Sequence, residues 1–305
     1  MLLALIFIIT FSVDSQIGPL KPGDYLRSLD IGKEKRTYLV HLPPSYDPNK
    51  PMPVVLAYHG GATSARIMVT FSGLNGKSDE AGFMVVYPNG TGLLENALTF
   101  NAGNCCGYAM RNDIDDIGFT RALLDDLSKV ANIDSKRIYA TGISNGGMMC
   151  YLLASELSDR IAAIAPVGGP MGTEKCHPRE PVSIIHFHGE DDQFAPFKGG
   201  HGTGVSGTDF YSVEYSILSW VKANGCPETP EITQLPDKVD DGTAVTRKRY
   251  GPGKEGSEVI LYAIKGGGHT WPGRESRMDK LGKTTKEISA NDLMWEFFKK
   301  HPKKK

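Results

Sequence analysis

The stretch Arg137-Ile138-Tyr139-Ala140-Thr141-Gly142-Ile143-Ser144-Asn145-Gly146-Gly147 decides the fold of this 305-residue chain. Its first half is apolar, which predicts a buried strand, and residues 148–157 continue it with a helical pattern. Between them, residues 142–146 fit Gly-x-Ser-x-Gly. A serine on a strained turn between strand and helix is typical of a nucleophile elbow, whose neighbours two before and two after must be small. An ordinary Gly-rich turn has the same letters, so the surroundings decide between the two.

Strands and helices alternate on both sides of this turn. Further apolar runs predict strands at residues 36–42, 53–58, 83–87, 161–166, 182–188 and 259–264. Helical patterns predict helices at residues 115–130, 213–223 and 289–299. Uninterrupted apolar strands separated by helices favour an α/β fold with a mostly parallel central sheet and helices on both faces. Such sheets place their sites at the carboxyl ends of strands, so each candidate residue should follow a strand.

The loops after two other predicted strands carry candidate site residues. Acyl transfer builds negative charge on a substrate oxygen, and backbone N–H groups stabilise it. The residue after the serine, Asn145, and Gly61 of His59-Gly60-Gly61 are the predicted donors of this oxyanion hole. His59 and Trp271 are the predicted substrate neighbours: Trp271 would wall the pocket, and His59 could instead order its own loop.

The order of the remaining motifs predicts a catalytic triad. A carboxylate must hold the catalytic imidazole in its productive tautomer, and Asp191 and Asp192 both follow the strand at 182–188. His269 lies among glycines after the last strand. The order Ser144, aspartate, His269 is that of the α/β-hydrolase fold. This chemistry needs no metal and no organic cofactor.

Two histidines, His186 and His188, share one face of the strand that precedes the aspartates. The pattern favours core or loop-ordering histidines over a metal site.

Composition and the first residues bear on the setting of the protein. Lys and Arg (34) nearly balance Asp and Glu (35), so no strong field favours nucleic acid or an anionic membrane. Residues 2–11 are apolar except Thr10, too short a run for the roughly 20 residues of a membrane span. We expect residues 1–15 to be a signal peptide, residues 16–305 one catalytic domain, and the protein to be secreted. A buried N-terminal strand is the alternative.

The chain has five cysteines, Cys105, Cys106, Cys150, Cys176 and Cys226. In an exported protein we expect some to form disulfides, and the odd count leaves one unpaired. We expect the adjacent Cys105 and Cys106 to reach two different partners. The spacings match no common zinc pattern.

The motifs together resemble the secreted esterases that include polyhydroxybutyrate depolymerases and feruloyl esterases, the carbohydrate esterase family 1 type. The matching segments are 58–61, 87–90, 104–107, 115–119, 142–149, 188–192, 196–200 and 267–273. The resemblance implies Ser144 as nucleophile, His269 as base and Asp192 as acid, because the family's acidic residue stands three after the glycine of its His-Gly pair. Members often carry a cysteine near Gly251, absent here, which implies that Cys226 is the unpaired thiol.

The resemblance also implies the substrate class, an ester that is polysaccharide-linked or polymeric. We expect feruloyl or acetyl esters of plant xylan, since no appended polymer-binding module accompanies the domain. A poly(3-hydroxybutyrate)-type polyester is the alternative ester. A non-catalytic secreted binding protein on a hydrolase scaffold is the alternative from another class, although such proteins usually lose a triad residue.

Overall fold

The computed structural model describes residues 12–13, 19–32, 34–204, 206–276 and 278–304. The strands in the described part are β1 (Ser12–Val13), β2 (Gly23–Ile31), β3 (Glu34–Leu42), β4 (Met52–Tyr58), β5 (Met84–Pro88), β6 (Ile133–Ile143), β7 (Ala163–Val167), β8 (Ser183–Gly189), β9 (Gly200–His201), β10 (Asp209–Phe210), β11 (Glu231–Gln234), β12 (Ala244–Tyr250) and β13 (Val259–Lys265). The α-helices there are α1 (Ala65–Ser72), α2 (Leu74–Ala81), α3 (Gly107–Arg111), α4 (Asp116–Val130), α5 (Asn145–Glu156), α6 (Val213–Asn224) and α7 (Ala290–Lys300).

Eleven strands form one sheet in the order β1-β2-β3-β5-β4-β6-β7-β8-β13-β12-β11, and β9 pairs with β10 separately. The central run from β5 through β4, β6, β7 and β8 to β13 is parallel. Antiparallel pairs flank it, β2-β3-β5 on one side and β13-β12-β11 on the other. The strands and helices predicted from the sequence are confirmed, and so is the mostly parallel α/β sheet.

The sheet has a hydrophobic core on each face. Helices α4, α5 and α6 cover one face, where Phe119, Leu153 and Trp220 are fully buried. Helices α1, α2 and α7 cover the other face, which buries Met68 and Phe298. Successive side chains of the central strands point into opposite cores. Both faces of each strand are therefore buried, and its sequence is a continuous apolar run.

The residues before β2 are described only in part. Most of the predicted signal peptide at 1–15, including the expected cleavage point after Ser15, lies outside the described residues. Ser12–Val13 pairs in parallel with Tyr25 and Leu26. No helix in the described part of the chain is long and apolar enough to cross a membrane.

The cysteines differ from the expectation. Cys105 and Cys106 are joined to each other, so the prediction that they reach two different partners is wrong. The sulfurs of Cys176 and Cys226 lie instead 3.7 Å from the main-chain oxygens of Ser219 and Ser257, so neither is available to Cys105 or Cys106. Cys226 is free, as the resemblance implied, and Cys150 and Cys176 are free as well.

Candidate active site

Ser144 lies on the turn that the sequence predicts, between β6 and α5. Its backbone angles are φ 58° and ψ −123°, a region that costs a non-glycine residue about 1–3 kcal/mol. The surrounding main chain holds it there: the Ser144 N–H donates to Val167 O at 2.9 Å, and the Met148 N–H donates to Ser144 O at 2.9 Å. Ser144 therefore has the strained backbone that a nucleophile elbow requires, and its role as nucleophile stays a prediction.

The glycines around Ser144 have the steric role that the motif predicts. A Cβ on Gly142 would lie 2.6 Å from the main chain of Gly146 and 2.7 Å from Tyr58 O. A Cβ on Gly146 would lie 2.6 Å from His59 O. Real Cβ atoms do not approach so closely, so any side chain at either position would push β6 or α5 away from β4.

Asp192 lies in the turn after β8 and is 4% exposed. Its Oδ1 accepts hydrogen bonds from the N–H groups of Phe194 and Ala195 at 2.8 and 2.9 Å. Burial opposes the charge of Asp192, but the charge of His269 and the hydrogen bonds to the carboxylate outweigh burial, and the pKa of Asp192 is lowered. The group is therefore held as a carboxylate in one rotamer.

His269 lies after β13 and meets that carboxylate. Its Nδ1 is 2.6 Å from Asp192 Oδ2, and its ring stacks on Phe194 with the centroids 5.3 Å apart. A carboxylate can only accept, so Nδ1 carries a proton, and in the neutral ring Nε2 is left with a lone pair. That is the tautomer which a general base needs.

The loop after β4 packs directly on the elbow. A Cβ placed on Gly60 would lie 3.6 Å from Ser144 Cβ, and one placed on Gly61 would lie 3.7 Å from Asn145 Cβ. Asn145 is the first residue of α5, where backbone N–H groups have no acceptor inside the helix. Its side chain clamps the main chain of Phe100 at 2.7 and 2.9 Å. The two predicted oxyanion donors are thus neighbours beside Ser144, and their role stays a prediction.

The two predicted substrate neighbours lie in the interior. His59 is 0% exposed; its Nδ1 donates to Gly60 O at 2.7 Å, and its Nε2 accepts from the Gly90 N–H at 3.0 Å. Burial lowers the pKa of His59 to about 4, so the ring is neutral. Trp271 is 1% exposed and donates to Asn291 Oδ1 at 2.9 Å. Both side chains order loops, which is the alternative that the sequence offered for His59, and their contact with substrate stays a prediction.

One residue near the triad was not anticipated. Gly168, after β7, has φ +53°, and a Cβ there would lie 3.2 Å from His269 Nδ1 and 3.4 Å from Asp192 Oδ2. Its N–H donates to Phe187 O at 2.9 Å. The pair Gly168-Gly169 directly after a predicted strand was the available signal, because the sequence places other site residues at such positions.

A cavity of about 620 Å³ lies beside this end of the sheet, between β3 and the loop at 89–98. Arg36, Asn89 and Leu98 are among the residues that line it, and the three triad residues lie outside it. Ser144 is partly exposed.

Comparison with known proteins gives several relatives. The chain is 30% identical over 286 residues to a protein described as "Putative esterase NocK" from Nocardia uniformis subsp. tsuyamanensis, covering 89% of this chain and 81% of that protein. It is 31% identical over 242 residues to feruloyl esterase B of Piromyces equi, and 26% identical over 250 residues to the bifunctional acetylxylan esterase/xylanase XynS20E of Neocallimastix patriciarum. These matches cover 77% and 81% of this chain but only 42% and 32% of those longer proteins.

Solved structures agree on the fold. Acetyl xylan esterase from Aspergillus awamori superimposes with a TM-score of 0.53 at 17% identity, covering 90% of this chain and 99% of that one. No protein-family profile matches the chain. With 30% identity across most of both chains and the sheet described above, the chain belongs to the esterase family of the α/β-hydrolase type.

Proposed function

We propose that the chain is a secreted serine hydrolase that cleaves feruloyl or acetyl esters of plant xylan. The observation that carries the proposal is the 2.6 Å contact between His269 Nδ1 and Asp192 Oδ2 at the same sheet edge as the strained Ser144. A family of esterases with this serine turn uses such a pair to activate the serine. Secretion rests on the apolar run at residues 2–11.

The proposed reaction has two halves. His269 Nε2 removes the proton from Ser144 Oγ, which attacks the ester carbonyl carbon, while the N–H groups of Gly61 and Asn145 stabilise the oxyanion. The tetrahedral intermediate collapses, and the alcohol leaves with the proton from His269. Water then attacks the acyl-serine by the same steps and releases the acid. Asp192 keeps its charge throughout and stabilises the imidazolium.

Two observations support an ester attached to a polysaccharide. Relatives covering 77% and 81% of the chain are named for feruloyl and acetylxylan ester cleavage. Ser144 is partly exposed, so an acyl group carried on a long chain can reach it. The site also needs neither metal nor organic cofactor for this chemistry.

The test compares Ser144→Ala with Ser128→Ala, a change of an exposed serine on α4. We expect Ser144→Ala to remain folded, to lose turnover of a p-nitrophenyl acyl ester and to lose labelling by a fluorophosphonate probe. Ser128→Ala should keep both. Turnover by Ser144→Ala would refute the mechanism, and a wild-type protein that takes no label would favour a binding protein.

A second assay tests the substrate. Methyl ferulate, acetylated xylan and polyhydroxybutyrate film are offered side by side to the full-length protein. Release of ferulate or acetate is the expected result. Release of hydroxybutyrate alone would leave the mechanism standing and overturn the proposed ester.

A further inference from the structure

A line of buried hydrogen bonds lies beneath the Asp192 turn. Tyr151 of α5 and His186 and His188 of β8 are each at most 1% exposed. The Tyr151 hydroxyl is 2.9 Å from His186 Nδ1, and His186 Nε2 is 3.0 Å from His188 Nδ1. His188 Nε2 is 2.7 Å from Ala195 O. Both nitrogens of each ring are therefore occupied.

The position of every proton along this line follows from its last acceptor. Ala195 O can only accept, so His188 Nε2 carries a proton. In a neutral ring His188 Nδ1 must then accept, which makes His186 Nε2 the donor. His186 Nδ1 accepts in turn, from the Tyr151 O–H. Burial lowers the pKa of His188 and lowers that of His186 further, which agrees with two neutral rings.

The line ends on the turn that holds the carboxylate. Ala195 is bonded from both sides: its N–H donates to Asp192 Oδ1 at 2.9 Å, and its carbonyl accepts from His188. His188 Nε2 also lies 3.4 Å from Asp192 Oδ2, the oxygen that faces His269. Loss of the His188 donor would leave Ala195 O buried without its partner and free the turn to shift.

The other end of the line lies on the helix that starts beside the nucleophile. Asn145, which follows Ser144, opens α5, and Tyr151 is six residues further along it, roughly 9 Å at 1.5 Å per residue. The hydrogen bonds thus connect the helix of the nucleophile to the turn of the acid through β8.

We propose that Tyr151, His186 and His188 form a strut that positions Asp192 for its contact with His269, with His188 acting as a neutral N–H donor. His188 is a positioning residue, and the proposal rests on the roles given above to Asp192 and His269. A protonated His188 would turn its Nδ1 proton toward the proton of His186. It would also compete with His269 for the charge of Asp192.

The groups around the strut are few. The titratable neighbours are Asp192 and His269 at one end, and Cys150 and Cys176 near Tyr151 at the other. The ring of Phe197 packs edge-on against His188, with centroids 5.7 Å apart. Within the described residues near the strut, no Lys or Arg is among the groups that shift these histidines.

The kinetic test compares His188→Leu with His188→Gln, in which the amide N–H can replace the Nε2 donor. We expect His188→Leu to lower kcat about 10- to 100-fold at a nearly unchanged KM, because the acid is misplaced rather than lost. The dependence of kcat on pH should also shift on its acidic side. His188→Gln should recover most of kcat. Phe187→Leu is the matched control, since Phe187 is on the same strand but packs on Tyr262 in the opposite core.

A second pair of variants tests the far end. Tyr151→Phe removes the hydroxyl that donates to His186, whereas Tyr139→Phe removes a buried hydroxyl that has no partner among the described residues. We expect a lower kcat for Tyr151→Phe and an unchanged kcat for Tyr139→Phe. Equal kinetics for the two variants would contradict a role for Tyr151 in the strut.

Nitrogen-15 NMR of the histidine-labelled wild-type protein tests the proton positions without any substitution. Both His186 and His188 should be neutral with the proton on Nε2 from about pH 5 to about pH 8, where free histidine titrates. A proton on Nδ1 of either ring, or titration of His188 in that range, would overturn the proposal. If Ser144→Ala is inactive while His188→Leu keeps the wild-type kcat and pH profile, the strut is wrong and the proposed function stands.

Discussion

Replacing Asp192 by asparagine gives the sharpest prediction, because the turn decides how the new amide points. The N–H groups of Phe194 and Ala195 both donate to Oδ1, at 2.8 and 2.9 Å. Only the amide oxygen can take that place. Turning the amide over would lose two hydrogen bonds of about 1 kcal/mol each, so the NH₂ group faces His269 in the great majority of molecules.

That orientation forces the wrong tautomer on the base. His269 Nδ1 would face a donor at about the present 2.6 Å, so it would have to accept, and the proton would move to Nε2. His269 could then no longer take the proton of Ser144. Loss of this tautomer in a serine hydrolase costs about 10⁴ in kcat, or about 5.4 kcal/mol at 1.36 kcal/mol per tenfold.

The assay is hydrolysis of p-nitrophenyl acetate by Asp192→Asn and by Asp191→Asn. Asp191 is exposed and adjacent in the chain, so it controls for the change of charge. We expect the first variant to lose about 10⁴ in kcat with its KM within a few-fold, and the second to keep full activity. More than a tenth of wild-type kcat in Asp192→Asn, or an equal loss in Asp191→Asn, would refute the tautomer reasoning.

Two further predictions concern His59 and Gly168. Burial lowers the pKa of His59 to about 4, so between about pH 6.5 and about pH 4 the unfolded chain binds a proton that the folded chain does not. Stability should therefore fall as the pH falls through this range, by about 3 kcal/mol for His59 alone, and urea unfolding at the two pH values measures it; a stability independent of pH would contradict the neutral buried ring. Gly168→Ala places a Cβ 3.2 Å from His269 Nδ1, so kcat should fall about tenfold because the ring is displaced. Gly32→Ala is also at positive φ (+61°), but apart from its chain neighbours no described residue has an atom within 4 Å of the added Cβ, so its kcat should be unchanged. Equal kcat values for the two glycine variants would show that the crowding at Gly168 has no effect on the base.

The central elements and the contact between Asp192 and His269 could be predicted because both depend on local or topological signals. The buried parallel strands are continuous apolar runs, and their carboxyl ends meet at one edge, so the order of motifs along the chain brings these side chains together. Ser144 was predictable for a similar reason. Its strain is enforced by the close approach of Gly142 and Gly146 to β4. That approach requires glycine at both positions, and the two glycines are visible in the sequence.

The elements missed by the sequence reasoning lack such a signal. The sequence of α2, Leu-Asn-Gly-Lys-Ser-Asp-Glu-Ala, buries only Leu74 and Ser78, so it has no apolar stripe. Strand β12 carries Thr, Arg and Lys, and its register follows from pairing with β13 rather than from its own pattern. Edge strands and surface helices are specified by the neighbours on which they pack.

The hydrogen-bond partners of His59 and Trp271 could not be predicted from the sequence for a different reason. Their loops were placed correctly, but the direction of a loop side chain depends on distant contacts. The Gly90 N–H donates to His59 Nε2, and the indole N–H of Trp271 donates to Asn291 Oδ1 in α7. The partner residues lie 31 and 20 positions along the chain, beyond the reach of a local pattern.

The unequal anchoring of Ser144 and His269 has a consequence for motion. The Ser144 amide is bonded to Val167 O inside the sheet, so its hydrogen should exchange with solvent only when the whole domain unfolds. The His269 amide is bonded to Leu281 O, between two loops, where opening needs no break in the sheet. We therefore expect Ser144, the proposed nucleophile, to be held more rigidly than His269, the proposed base.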